Sequence, residues 1–239
     1  MTTADAEALL AVQERDTKLD QLEHQLRKLP AREERDAAQA ALDDLDSAIA
    51  ERSAERDELS RRQRRLDDEV ETISAKRRSH DERLYGGSVT NARELQDLQE
   101  EIEALGRRIS VLEDDELAIM EQLEPLEAEL ADLNTTRQLR DTVLADANAR
   151  LAEAEQALRA QVETEREARA GLVGAVPEDL LREYEGLRAS NGGIGVARLV
   201  GGNRCGGCNL TLSAVEVAAL RKHQGELSHC EECGRLLVP

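Results

Sequence analysis

Apolar residues along most of this chain fall into two series spaced by threes and fours. The first runs from Leu42 through Leu45, Ile49, Leu59, Leu66, Val70 and Ile73 to Leu84. The second starts at Leu95 and passes Leu98, Ile102, Leu105, Ile109, Leu112, Ile119, Leu123, Leu126, Leu130 and Leu133. It continues through Leu144, Leu151 and Leu158 to Val162. Neither series slips out of heptad register, which is the mark of helices that bury one narrow stripe against a partner helix. Between them lies Tyr85-Gly86-Gly87-Ser88-Val89-Thr90-Asn91. The paired glycines there end one helix, and Asn91 is placed to cap the next with Glu94 as its box partner. Two helices of about 80 residues, each roughly 120 Å long, are therefore expected to fold back as an antiparallel hairpin spanning 1–174, with its tip at about 85–91. An antiparallel seam suggests the layers Leu45–Leu130, Ile49–Leu126, Leu66–Ile109 and Ile73–Ile102.

Two prolines interrupt the pattern. Pro30 and Pro125 each predict a kink or a break, because proline removes a helix hydrogen bond and clashes with the preceding turn. Leu19, Leu22, Leu26 and Leu29 keep a register of their own, and the step from Leu29 to Leu42 falls one residue short of two heptads. The first helix should lose register near Pro30. Spacing alone does not say whether the N-terminal piece folds back onto the hairpin.

The pattern changes after Arg169. Gly171, Gly174 and Pro177 close the long helix and open a shorter one, whose apolar face is Leu180, Leu181, Tyr184 and Leu187. Asn191-Gly192-Gly193 stops it. A strand is expected from Gly195 to Val200, then a Gly201-Gly202 turn, a helix opened by Ser213 with Glu216 as capping partner, and a last strand from Arg235 to Val238. The fold class is thus mainly α, a long antiparallel coiled-coil hairpin followed by a small α+β domain with a leading short helix over 175–239.

The four cysteines fall inside this tail, as Cys205-Gly206-Gly207-Cys208 and Cys230-Glu231-Glu232-Cys233. Two C-x2-C pairs at this separation form two knuckles whose thiolates surround one tetrahedral Zn²⁺. The residues that follow, Asn209 and Gly234, are the two types that reach a left-handed turn at least cost. Two disulfides would need an oxidising compartment, and the N-terminus has neither the basic nor the apolar segment of a secretory signal. A thioredoxin-like pair would need a βαβ unit that so short a tail does not provide. A catalytic zinc keeps an open position, whereas four cysteines fill the shell. His223 and His229 lie near the knuckles and read as surface residues, and His24 and His80 sit within heptads.

Composition supports the hairpin and limits the chemistry. Aromatic residues make up 1% and charged residues 35% of the 239 residues, which does not describe a large globular core. The net charge is −19, and the tail, with seven Lys/Arg against eight Asp/Glu, holds almost none of it. An acidic hairpin repels a polyanion, and only Tyr85 and Tyr184 could stack on bases. Any nucleic-acid contact must be local, through Arg198, Arg204, Arg221, Lys222 and Arg235 of the ribbon or through Arg61, Arg62, Arg64, Arg65, Lys76, Arg77 and Arg78 toward the hairpin tip. That second cluster reads first as a solvated charged helix face and second as a basic anion-binding tip. No carboxylate–histidine cluster suggests a metal-dependent hydrolase, and no run of 18 apolar residues suggests a membrane span.

The tip segment from Tyr85 to Gln96, the Pro177–Leu187 helix with Tyr184, and Cys230-Glu231-Glu232-Cys233-Gly234-Arg235-Leu236-Leu237 together resemble the bacterial proteins that join a coiled-coil hairpin to a C-terminal C4-type zinc ribbon, and their actinobacterial members most. The resemblance implies a cytoplasmic, non-enzymatic protein whose ribbon binds protein or nucleic acid. Some relatives are described as chaperones of an alternative sigma factor, in flagellar control or secretion, and as binders of messenger RNA. The expectation is a zinc-binding adaptor whose partner is a protein of the transcription or secretion machinery. Direct RNA or DNA binding is the alternative, and no small-molecule substrate is expected.

Overall fold

The computed structural model describes residues 3–222 and 227–238. Helices α1 (Thr3–Arg27), α2 (Pro30–Tyr85), α3 (Ala92–Val173) and α4 (Glu178–Ser190) precede β1 (Val196–Val200), β2 (Arg204–Cys205), α5 (Ala214–Lys222), β3 (Ser228–His229) and β4 (Leu236–Val238). The chain divides into two compact units, one made of 1–34 with 148–239 and the other of 35–147. That division does not follow the expected cut at 174/175, because α1 and the end of α3 pack with the ribbon.

The unit 35–147 is the antiparallel hairpin. Its helices meet where the heptads place them, with Leu42, Leu59, Leu98, Ile109, Leu112, Ile119, Leu123, Leu126 and Leu130 buried. The gaps in the apolar series are filled by polar layers. Arg137 Nε donates to Asp46 Oδ1 at 2.6 Å and Arg137 Nη1 to Asp141 Oδ2 at 2.9 Å, in the stretch between Leu133 and Leu144. Gln63 Nε2 donates to Glu116 Oε1 at 3.3 Å, and Arg52 Nε to Glu129 Oε1 at 3.1 Å.

These layers correct the expected register. Leu45–Leu130 and its companion layers would put Gln63 opposite Leu112 and Leu59 opposite Glu116. Instead Leu59 clusters with Ile119, Leu123 and Leu126. The helices are thus offset by about one turn from the expected pairing. A slide of one turn leaves apolar residues facing apolar residues along most of a heptad seam, so the polar positions select the register.

Pro30 and Pro125 act differently. Pro30 is the first residue of α2, where its missing N–H costs no helix hydrogen bond, and the helix breaks at Lys28-Leu29 as expected. Helix α3 runs without interruption through Pro125, so no break occurs there. At the tip, Gly86 N donates to Glu82 O at 2.8 Å, and Asn91 Oδ1 accepts from Arg93 N at 3.0 Å. Glu94, expected to reach back to Asn91, instead accepts from Arg83 Nη2 at 3.2 Å.

In the other unit α1 supplies much of the core. Ala6, Leu9, Leu10 and Val12 join Val176, Leu180, Tyr184, Val196, Leu236 and Val238 in one buried cluster. Leu19 and Leu22 meet Val162 of α3 in a second. Polar groups fix the docking. Gln13 Nε2 donates to Gly193 O at 2.9 Å while its Oε1 accepts from Gly195 N at 2.7 Å, so one side chain satisfies both edges of the turn that enters β1. The Asp16 side chain, 4% exposed, accepts from Tyr184 Oη at 2.6 Å and from Arg169 Nε at 2.6 Å. Burial and the neighbouring Asp16 carboxylate both push the Tyr184 phenol far above its ordinary range, which keeps it a donor. Gly195 is obligatory here, since a Cβ would stand 2.7 Å from the Tyr184 carbonyl and ring.

The four strands form one sheet in the order β2-β1-β4-β3, with β1 and β4 parallel and the outer pairs antiparallel. Strand alternation then gives each face its own core. Val196, Leu236 and Val238 face the cluster built by α1 and α4, whereas Ala197 and Leu237 face the cysteines and α5.

Two outcomes are expected. Tyr184→Phe leaves Asp16 short of one charge-assisted hydrogen bond and should lower stability by about 1.5–3 kcal/mol in urea titrations, with faster amide exchange in α4. Lys18 and Arg15 hold the Glu165 carboxyl below its ordinary value of 4.5. Its contribution is therefore complete above that pH and is lost as pH falls through the depressed native value, so Glu165→Gln should flatten the acid limb of the stability profile.

Candidate metal centre

Each cysteine pair sits on a turn closed by its own backbone. In the first knuckle Asn209 N donates to Cys205 O at 2.9 Å and Cys205 N to Leu210 O at 3.0 Å. In the second, Gly234 N donates to Cys230 O at 2.8 Å and Cys230 N to Arg235 O at 2.9 Å. The two knuckles repeat one hydrogen-bond pattern. As expected, both pivot residues are left-handed, Asn209 at φ 63° and Gly234 at φ 72°. This turn aims amides at sulfur. Gly207 N donates to Cys205 Sγ at 3.4 Å, and the backbone N–H groups of Leu210 and Arg235 face the sulfurs of Cys208 and Cys233.

The strand order brings the knuckles together, and the four Sγ atoms all lie within 4.8 Å of one another. Cys205–Cys233 and Cys208–Cys230 are each 4.0 Å apart. A tetrahedron with Zn–S bonds of ~2.3 Å has edges of about 3.8 Å, so these thiolates fit a single zinc ion. The cysteines are free, with no disulfide among the described residues. Four sulfur ligands complete the coordination shell, which makes the zinc structural.

Without metal the site opposes its own ionisation at one position and favours it at another. Burial pushes the Cys230 thiol up to about 12. Burial also raises Cys233, but the N–H and guanidinium of Arg235 outweigh it and bring that thiol down to about 7. Zinc binding must displace protons from the set, so the metal supplies the charge that burial withholds.

The other residues singled out in the sequence have different surroundings. Arg235 Nε donates to Ile194 O at 2.9 Å and its Nη2 to Asn191 O at 2.6 Å, which ties the second knuckle to the end of α4. Arg198 Nη2 pairs with Glu7 Oε2 at 2.6 Å. Arg204 and Lys222 are exposed. The side chain of Arg221, and His223, lie outside the described residues. His229 Nε2 lies 2.8 Å from Glu183 Oε1 and is not among the grouped metal ligands. Sequence reasoning missed Gln13, Asp16 and Glu7, since an isolated polar residue on a helix gives no sign of a partner some 150 or more positions away. No helix among the described residues is long and apolar enough to cross a membrane.

Chelation, or Cys230→Ala, should release one zinc per chain and abolish amide-exchange protection in β2 and β3. The circular dichroism of the 35–147 hairpin should persist, because that unit supplies none of the four cysteines. A second substitution separates turn geometry from ligation. Asn209→Gly should keep zinc affinity, whereas Asn209→Val should weaken it, by about 1–2 kcal/mol, in competition with a chromophoric chelator.

Comparison with known proteins agrees with this architecture. Residues 12–192 match the model of the CT398-like coiled coil hairpin domain, and residues 204–237 match the C4-type zinc ribbon domain. The chain is 31% identical to the uncharacterized protein Rv2229c of Mycobacterium tuberculosis over 98% of its own length and 95% of that protein. Among solved structures, one from Mycobacterium smegmatis has a TM-score of 0.91 at 24% identity, covering 100% of this chain and 99% of that one. CT398 from Chlamydia trachomatis has a TM-score of 0.74 at 20% identity, covering 98% and 97%. HP0958 from Helicobacter pylori has a TM-score of 0.53 at 17% identity, covering 99% and 98%. These three likenesses concern the fold. The sequence matches, read with the paired knuckles and the heptad seam, make this chain a member of the CT398-like coiled-coil hairpin family that ends in a C4-type zinc ribbon.

Proposed function

We propose that the protein is a non-enzymatic adaptor in which the zinc-held ribbon is the recognition head for another protein, one belonging to the transcription or secretion machinery, in the cytoplasm. The observation that carries this reading is the closed thiolate shell. A zinc with four sulfur ligands has no position for water or substrate, so its contribution is to fix a surface. Both matched families are a coiled coil and a zinc ribbon, neither of them an enzyme family. The fate of the ribbon cations also favours a protein partner. Arg235 is committed to backbone carbonyls within the chain and Arg198 is paired with Glu7, which leaves fewer unpaired cations for a phosphate backbone.

Affinity capture from the native cell, with one arm treated with nuclease, is the test. Proteins retained by the wild type in both arms and lost with Cys205→Ala or Cys233→Ala are the expected result. Capture that is unchanged by those substitutions would remove the ribbon as the head. Loss in the nuclease arm, together with direct binding of an oligonucleotide that weakens steeply with salt, would favour the nucleic-acid reading through Arg204, Lys222 and the exposed arginines near the hairpin tip.

A further inference from the structure

Among the described residues, the sheet face that carries the cysteines is only partly covered. Helix α5 lies over it and leaves a groove of about 320 Å³ among the described residues. Leu212, Leu220, Leu227 and Leu237 line its floor, each buried, with Ala219 of α5 on one wall. Apolar floors are common in small domains. The groove is distinguished by its polar groups.

Ser228 Oγ, at the groove, is buried and has no hydrogen-bond partner among the described residues. A buried hydroxyl left unpaired costs about 1–3 kcal/mol, so a partner arriving with a donor or acceptor would recover that loss. The rim is acidic. Glu216 accepts from Ser213 N at 2.7 Å, and its carboxyl is held below the ordinary range by the Ser213 hydroxyl and N–H, so it is ionised. Glu231, exposed, stands at the same rim, within the second knuckle and beside the negative charge of a tetrathiolate zinc. No lysine or arginine is among the described lining residues. His229 is turned to Glu183.

We infer that this groove is the docking site of the protein partner, and that it takes a segment presenting one or two aliphatic or methionine side chains beside a lysine or arginine. The inference rests on the adaptor reading and names its surface. Charge decides between occupants. Two carboxylates and an anionic metal centre attract a basic, apolar peptide and repel a nucleic-acid backbone. The volume lies near the lower end of ligand-binding clefts and suits a side-chain anchor.

The probe is a short amphipathic peptide of leucine and lysine, added to the zinc-loaded full chain with labelled leucine methyls. Shifts confined to Leu212, Leu220, Leu227 and Leu237 are expected. A counterpart with glutamate in place of lysine should bind at least about tenfold more weakly. Ala219→Phe, which fills the groove from an exposed helix position, should weaken the lysine peptide by at least about tenfold with zinc content unchanged. Should that variant lose zinc, Glu231→Lys serves instead and should also weaken the lysine peptide. Equal binding of the two peptides, unchanged binding to a zinc-loaded variant, or shifts of the same methyls by a thymidine oligonucleotide would overturn the proposal. Failure here is separable from failure of the adaptor reading. If Ala219→Phe keeps every captured protein that Cys233→Ala loses, the ribbon remains the head and the groove is not its contact.

Discussion

Four sulfur atoms within 4.8 Å of one another are a liability until a cation joins them. Burial pushes the Cys230 thiol away from ionisation. Zinc reverses this, since each Zn–S bond favours the thiolate. The consequence reaches well beyond the knuckles. Cys205 and Cys230 are core residues in the same cluster as Leu212, Val217, Leu220 and Leu237, so the ion completes a hydrophobic core that has no aromatic side chain to fill it. Strands β2 and β3 are two residues each and flank the sheet. Ladders that short are not self-supporting, and the metal substitutes for the length they lack.

The opposite face of the same sheet is held by different means. There α1 docks through Gln13 and Asp16, with Tyr184 and Arg169 closing on the Asp16 carboxylate. A buried carboxylate is costly alone and tolerable only when fully bonded, and this one accepts from a phenol and a guanidinium on two different helices. The ribbon is thus a two-faced sheet. One face is stabilised by a metal and the other by a helix from the far end of the chain.

The sequence disclosed these parts unequally, for physical reasons. Heptads, paired glycines, the Ser213–Glu216 capping box and the left-handed pivots Asn209 and Gly234 are local signals, and each appears where spacing placed it. The zinc ligands were legible because four like residues at fixed intervals have few other uses. Register was not, since a leucine seam is nearly indifferent to a slide of one turn and the selecting pairs, Gln63–Glu116 and Arg137–Asp46, are polar residues that look like surface. The role of α1 was also hidden. Its first buried residues, Ala6, Leu9, Leu10 and Val12, precede the register visible from Leu19, and their partners lie near the other terminus. Short strands such as β2 and β3 carry no periodicity to detect.

Period-two alternation explains why the ribbon has one face to spare. Val196 and Ala197, like Leu236 and Leu237, are consecutive in sequence and belong to opposite cores. Helix α1 occupies the Val196–Leu236 side and brings Glu7 to Arg198, so that side is satisfied from within the chain. Among the described residues the Leu237 side has α5 above it. The groove that the described residues leave beside it is apolar beneath and acidic at the edge. With metal and helix each fixing one face, the adaptor reading assigns recognition to this groove. The chemistry of that part, carboxylates around leucines, selects a cationic and apolar guest over a polyanion.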